Sequence, residues 1–555
     1  AEWRFSMTDM KVCLRLTLCL LYISIVVIQQ TTAKRPPDNP RPRKILKALN
    51  RKKVIQDEYI VTLVNGLAPE EVQRHLDDTA HLYEIPNSRD IGHILKKRKR
   101  STCVSERGQQ NYFTKNGLQE LVYSVFCMSD DDLETLDKDP LVKTLEEDER
   151  IGLGPKVKNY EEISDVENAY LTTRGRVRAR SFRSRGSNPI RKIFGSIRRL
   201  TARRNRSRAT FKSRIGMKGG GLKGSFTQLL QPQLENANES CFYEYISNFG
   251  QWGLDRIDAE HPDFDSAFSI GCSGDDVDIY IVDTGILNNH DAFRDAVTNK
   301  SRVIQGYSSV SFPDDDTTDY DGHGTHVAGV AGGHLYGVCT GANLIPVKVI
   351  DLDPETNEAV GTKTSLIEGL EWVKRMYRQR GRKAVVNLSI GGEKSVSVDD
   401  AVLSLVHEGI TVVVAAGNNN TDACYDSPPD VREVIAVGCS TIGMKDGKPV
   451  DKMCPFSNYG ACVDILAPGS AIQSSTISKG NPESTSETEV MSGTSMSSPF
   501  VAGAIACYLS VVDKTPTPAE VYEWLMKDST MTGLVQMDDH QSTTSNRILS
   551  IPKCE

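Results

Sequence analysis

The feature that most restricts this chain is a set of unbroken β-branched runs separated by longer mixed stretches. Val277-Asp278-Ile279-Tyr280-Ile281-Val282-Asp283 is one, and residues 347–350, 385–390 and 411–416 are others. Short apolar runs without strict alternation suit strands buried on both faces, and helices must then cover those faces. Residues 365–378 read as such a helix. The pattern predicts an α/β fold built on a doubly wound, mostly parallel sheet. In such sheets, sites gather outside the carboxyl ends of the strands. Asp283, ahead of a Thr284-Gly285 turn, and Asn418, after Ala415-Ala416-Gly417, fall at such ends.

Two further stretches carry chemistry. Met491-Ser492-Gly493-Thr494-Ser495-Met496-Ser497-Ser498-Pro499 holds a Ser in a tight turn ahead of a small-residue apolar run. Pro499 suits the first turn of a helix. Ser495 is therefore expected just before a helix N-terminus, beside N–H groups that suit a developing oxyanion. Taken alone, the turn reads equally well as a Ser-rich helix cap. Asp321-Gly322-His323-Gly324-Thr325-His326 puts a His at the mouth of another helix. A Ser hydroxyl is a poor nucleophile at neutral pH and needs a base within reach. An imidazole titrates near that pH, and a carboxylate holds its tautomer and stabilises the imidazolium. Asp283, His323 or His326, and Ser495 supply those residue types.

In the order Asp, His, Ser, these motifs resemble the subtilisin-like serine proteases, and the proteinase K-like family most closely, over roughly residues 251–552. The resemblance implies a serine endopeptidase with Asp283, His323 and Ser495 as its triad and His326 as a structural residue. It implies Asn418 as an oxyanion donor paired with the Ser495 N–H. It implies that Ser389, Ile390 and Gly391, with Ala415, Ala416 and Gly417, bind extended substrate and line the pocket before the scissile bond. No charge lies in those segments, which favours apolar or aromatic side chains. It further implies a structural calcium held by Asp464 with the carbonyls of Arg432 and Val434, and a Cys424–Cys462 disulfide. No cofactor is expected for the chemistry itself. Ser497, Ser498 and Phe500 stand where many relatives have Ala, Thr and His, but they only flank the nucleophile.

The expected organisation has five parts. Residues 1–33 read as a signal peptide, with an apolar run at 12–28 and the small Thr31-Thr32-Ala33 after it. Residues 34–53 are basic, Pro-rich and expected to be disordered. Residues 54–152 alternate strand and helix patterns: strands at 58–64, 121–126 and 142–148, helices at 69–82 and 131–136. That order resembles the ferredoxin-like α+β inhibitory propeptide of subtilases, which implies a zymogen whose propeptide tail blocks its own site. Residues 153–245 form an Arg-rich, cleavable linker, with no Asp or Glu between Glu167 and Glu235. Few aromatics stand there to stack bases, so nucleic acid is not an expected partner. Residues 246–555 form the catalytic domain.

Nine of the 13 Cys fall from Cys241 to Cys554. In a secreted chain most of these pair and one stays free or bonds elsewhere. The expected setting is a secreted monomer acting on protein or peptide substrates, without a stable membrane anchor. No segment after the leader reads as long and apolar enough to cross a bilayer. Asn238, Asn299 and Asn419 are glycosylation acceptors by sequence, while Asn387 sits in a strand expected to be buried. The alternative is a self-cleaving protein that keeps its propeptide and acts by binding.

Overall fold

A computed structural model gives the structure of the protein. It describes residues 251–552, except 263, 296–297, 311–315, 354–355 and 479–483. Upstream it describes 45–46, 54–64, 71–72, 74–75, 108–111, 122–126, 130–153 and 242–245. The expected signal peptide, nearly all of the basic segment at 34–53 and most of the Arg-rich stretch, with Asn238, lie outside the described residues.

The principal elements upstream are β1 (Val54–Leu63), β2 (Val122–Phe126), α1 (Asp130–Lys138) and β3 (Val142–Gly152). The larger domain follows with β4 (Val277–Asp283), α2 (His323–Gly332), β5 (Asn343–Lys348), β6 (Ala359–Thr362), α3 (Lys363–Arg380) and β7 (Lys383–Leu388). Next come α4 (Val396–His407), β8 (Thr411–Ala415), β9 (Ile435–Lys445), β10 (Ile465–Pro468) and α5 (Thr494–Val511).

The order β10-β9-β8-β7-β4-β5 forms a parallel sheet. Successive residues of β4 serve opposite cores, which is why no polar face interrupts its run. Ile279 and Ile281 pack with Val327 of α2 and Val501 of α5. Tyr280 and Val282 pack with Leu366 of α3 and Leu405 of α4. β4 lies between β5 and β7, so successive crossovers run in opposite directions and open a crevice at the carboxyl ends of β4 and β7.

Two expectations are corrected. α5 begins at Thr494, so Ser495 is its second residue and Pro499 lies inside the helix. Proline there lacks the N–H that would bond the Ser495 carbonyl. The Ser389 hydroxyl supplies the missing donor at 3.1 Å, so the helix continues. α5 is also long and apolar enough to cross a membrane. It is nearly all buried among the residues of this domain, as a core helix must be.

Boundaries elsewhere shift for local reasons. The strand read at 347–350 splits between β5 and Ile350–Leu352. The helix read at 365–378 extends to α3, because Thr362 and Ser365 form a reciprocal cap at its start. Gly381, in the left-handed region at φ 59°, ends it.

The smaller unit pairs β1 antiparallel with β2 and β3, and α1 closes its core of Val61, Leu63, Leu133, Leu136 and Leu145. β3 then reaches across to the larger domain. Its end pairs antiparallel with β6: Arg150 opposite Thr362, Ile151 opposite Gly361, and Gly152 opposite Val360.

Among the described residues three disulfides are present: Cys272–Cys507, Cys424–Cys462 and Cys439–Cys454. Cys339 is free and buried, while Cys241 and Cys554 lie outside the described residues. Asn387 is fully buried, whereas Asn299 and Asn419 are exposed.

Candidate active site

β4 delivers Asp283 to the carboxyl edge of the sheet, where the side chain is fully buried. α2 starts beside it. Its N-cap, Gly322, has φ 104°, a conformation that glycine adopts without a side-chain clash. This start puts His323 Nδ1 2.8 Å from Asp283 Oδ1. The same oxygen accepts the Thr284 N–H at 2.8 Å, so the carboxylate is oriented from two sides. Burial pulls the His323 pKa down, but Asp283, Asp321 and Asp319 more than offset it, and the imidazole lies above its ordinary value.

His326, about one turn along, faces inward. Its Nε2 lies 3.1 Å from both the Ile472 and the Glu489 carbonyls. Burial, and then the neighbouring His323, push its pKa down to about 3. A neutral ring fixed between backbone carbonyls serves packing.

Ser495 Oγ donates to the Ser389 carbonyl at 3.3 Å, and Ser389 Oγ donates back to the Ser495 carbonyl. Asn387 Nδ2 donates to Ser389 Oγ at 2.8 Å, and Ser498 Oγ lies 3.0 Å from it. Ser389 is thus a brace under the nucleophile's backbone as well as a wall of the cleft. As the second residue of α5, Ser495 carries one of the first-turn N–H groups that no intrahelical carbonyl can reach.

Asn418 follows Gly417, whose φ is 106°. A Cβ on Gly417 would stand 2.4 Å from Asn458 Nδ2, so no larger residue fits. Asn418 Oδ1 accepts the Thr494 N–H at 2.8 Å and the Thr494 hydroxyl at 3.0 Å. With the oxygen held, the amide nitrogen is the end left for a ligand. A Cβ on Gly493 would lie 3.3 Å from Asn418 Nδ2 and 3.7 Å from Ser495 N, so both donors border one small space.

Ser495 and Asn418 border a cleft of about 340 Å³, whose lining does not include Asp283 or His323. Ser389, Ile390, Gly391, Ala415, Ala416, Gly417, Asn418 and Ser495 all line it. So do Glu149 to Gly152 of β3 and Leu153 beyond it. Three charged wall residues of the larger domain, Lys363, Glu393 and Asp426, are not among the residues expected from sequence. Nothing marks them, because they lie outside the strand ends read from sequence. Asp426 Oδ2 accepts Asn458 Nδ2 at 2.8 Å. Thr494 was missed too, although the need of Asn418 for a partner on its own oxygen could have pointed to it.

The donor set expected for calcium is the Asp464 carboxylate with the carbonyls of Arg432 and Val434. Asp464 is the one carboxylate of the set, and its oxygens already accept the Ala436 N–H at 2.9 Å and the Tyr522 hydroxyl at 3.0 Å. Burial pushes its pKa up to about 6. Calcium takes six to eight oxygen ligands. Among the described residues, no group of three or more His, Cys, Asp or Glu forms a metal cluster.

Residues 274–548 match the model of the Subtilase family. The chain is 41% identical over 275 residues to the Extracellular serine proteinase of Thermus sp. (strain Rt41A), covering 50% of this chain and 60% of that protein. It is 36% identical over 287 residues to Subtilisin-like serine protease Rho m 2.0101 of Rhodotorula mucilaginosa, covering 50% of this chain and 75% of that one. The crystal structure of a cold adapted subtilisin-like serine proteinase is 34% identical, with 54% of this chain and 97% of that one covered and a TM-score of 0.45. The match thus spans less than two thirds of the Thermus relative's own length. By the family model and the Rhodotorula relative, the chain belongs to the subtilase family.

Proposed function

We propose that the protein is a serine endopeptidase made as a zymogen, with Asp283, His323 and Ser495 as its triad. The observation that carries this reading is the 2.8 Å contact of Asp283 with His323 in the crevice where α5 presents Ser495. Rotation about the Ser495 Cα–Cβ bond turns Oγ from the Ser389 carbonyl toward His323. His323 takes the proton as Oγ bonds to the substrate carbonyl carbon. The oxygen of that carbonyl gains the negative charge, and Asn418 Nδ2 and the Ser495 N–H hold it. His323 returns the proton to the leaving amine, and water then releases the acyl group by the reverse sequence.

Substrate adds as an extended strand along residues 389–391 and 415–417. The lining from these segments carries no charge, which supports a preference for apolar or aromatic side chains. The three disulfides support secretion. The reading assigns no chemistry to calcium. A fluorophosphonate probe tests it: the cut wild-type protein is labelled, and a correctly cut protein that stays unlabelled would refute it. Asn418→Ala is expected to lower kcat by about 10²- to 10³-fold with little change in KM, a size carried over from subtilisin. Steady-state kinetics on a peptide substrate reads it.

The end of β3 supports autoinhibition, because it adds to β6 and lines the same cleft as Ser495. Its grip is polar as well. Lys363 Nζ lies 2.8 Å from Glu146 Oε1 and 3.2 Å from Glu149 Oε2, with all three side chains nearly out of water. Glu146 also accepts the Ser397 N–H at 3.1 Å, near the start of α4. Asp148 accepts the Thr364 N–H at 3.3 Å, near the start of α3. Carboxylates at helix starts gain from the free N–H groups there. Lys363→Ala leaves two carboxylates buried without their cation, at a cost of about 3–5 kcal/mol. After cleavage, the β3 segment should leave that variant at least about 10²-fold faster. Co-purification over time measures this.

The same contacts favour a second reading, in which the cut segment stays bound and the protein acts through binding. In that case the wild type is cut, the segment co-purifies and the probe does not label.

A further inference from the structure

Asp319 is fully interior, with 2% of its surface exposed, and the chemistry above does not use it. Five groups point at its carboxylate. Oδ1 accepts the Thr284 hydroxyl at 2.9 Å, the Asp321 N–H at 3.0 Å and the Gly322 N–H at 2.9 Å. Oδ2 accepts the Thr325 N–H at 2.8 Å and the Thr325 hydroxyl at 2.6 Å. The two hydroxyls are themselves held. Thr284 Oγ1 accepts the Gly324 N–H at 2.9 Å, and Thr325 Oγ1 accepts the Leu287 N–H at 3.0 Å. Each hydroxyl proton is therefore turned toward Asp319.

Those contacts come from two segments. One is the turn after β4, where Thr284 also orients Asp283 through its N–H. The other is the start of α2, which carries His323 between Gly322 and Gly324. One carboxylate thus joins the backbone that presents the acid to the backbone that presents the base.

We propose that Asp319 is a positioning residue for the triad, an ionised buried carboxylate that clamps the Asp283 turn onto the His323 helix and adds negative potential at the imidazole. The inference rests on the proteolytic reading and deepens it. Burial holds the Asp319 pKa above its ordinary value, although the Gly322, Thr325 and Thr284 donors act against it. It is the donor geometry that favours the ionised form. Five donors leave no acceptor for a proton of its own, so the ionised form is the one this pocket fits. The titratable groups around His323 are Asp283, Asp321, Asp319 and His326. Asp319 acts on His323 with the same sign as Asp283, at one remove.

Asp319→Asn tests the clamp in the full chain, because an amide turns an NH₂ toward two or three donors whichever way it faces. Two measurements separate positioning from packing. The first follows His323 by NMR in histidine-labelled protein carrying Ser495→Ala. The second takes kcat and KM against pH in the Ser495 background. Expected are an about threefold lower proton affinity of His323, an acid limb moved to lower pH, and a kcat at least about tenfold lower at unchanged KM. An unmoved titration and acid limb, with only Tm lowered, overturns the proposal. If Asp319→Asn does not fold, Thr284→Val removes one donor and the Gly324 link; an unchanged kcat in that folded variant also overturns it. The NMR arm needs no hydrolysis, so it decides the clamp even where the proteolytic reading fails.

Discussion

On the proteolytic reading proposed above, Ser495→Ala is expected to yield a chain that folds, is not cut and does not react with a fluorophosphonate. Its turnover falls by about 10⁶-fold, a size carried over from subtilisin. The stability loss is small, because the side chain makes one 3.3 Å hydrogen bond to the Ser389 carbonyl. That carbonyl lies in the cleft wall, so its loss of a partner costs at most about 1 kcal/mol. The brace through Ser389 Oγ acts on the Ser495 backbone and survives the change. Folding and chemistry therefore separate cleanly at this position. Thermal unfolding, gel mobility and probe labelling of the two proteins side by side give the result. A mutant that is cut and labelled like wild type removes Ser495 from the mechanism.

Asp283→Asn is expected to lower kcat by about 10⁴-fold while the fold persists. Asp283 Oδ1 serves both the His323 ring and the Thr284 N–H. If the amide keeps its oxygen there, the ring keeps its orientation but loses the negative charge that stabilises the imidazolium. If the amide turns, its NH₂ opposes a ring N–H and forces the wrong tautomer. In either case the proton affinity of His323 falls, because Asp283 is the first of the groups that raise it. Sign follows from that: the folded imidazole sits above its unfolded value, so its ion-pair contribution is complete at low pH and lost as pH rises through the folded pKa. The variant should lack that pH-dependent part of its stability. Rate profiles and Tm measured across pH 5 to 9 would show both effects. A variant with wild-type kcat excludes Asp283 from the triad.

What was legible in the sequence follows physical lines. Buried parallel strands announce themselves, because two covered faces leave no alternating polar side, as β4, β7 and β8 illustrate. The three motif residues were legible because each falls at a strand or helix end, where local signals are strong. The start of α5 was misjudged because the proline rule assumes that the orphaned carbonyl has no other partner. Ser389, more than a hundred residues away, provides one. The Asp319 hub was invisible for a related reason: an acid in a loop reads as solvated until three-dimensional neighbours surround it. Glu393 and Asp426 in the cleft wall belong to the same class.

The joining of β3 to β6 has a consequence for dosage. While the chain is whole, the strand end is tethered to the groove it fills, and its effective concentration is set by the connecting chain rather than by how much protein is present. After a cut, rebinding becomes a second-order event. Crowded molecules would then hold one another's segments in place, and the same molecules would lose them on dilution. Activity would appear with a lag that lengthens as the protein is made more concentrated, the reverse of what an intermolecular activation step gives.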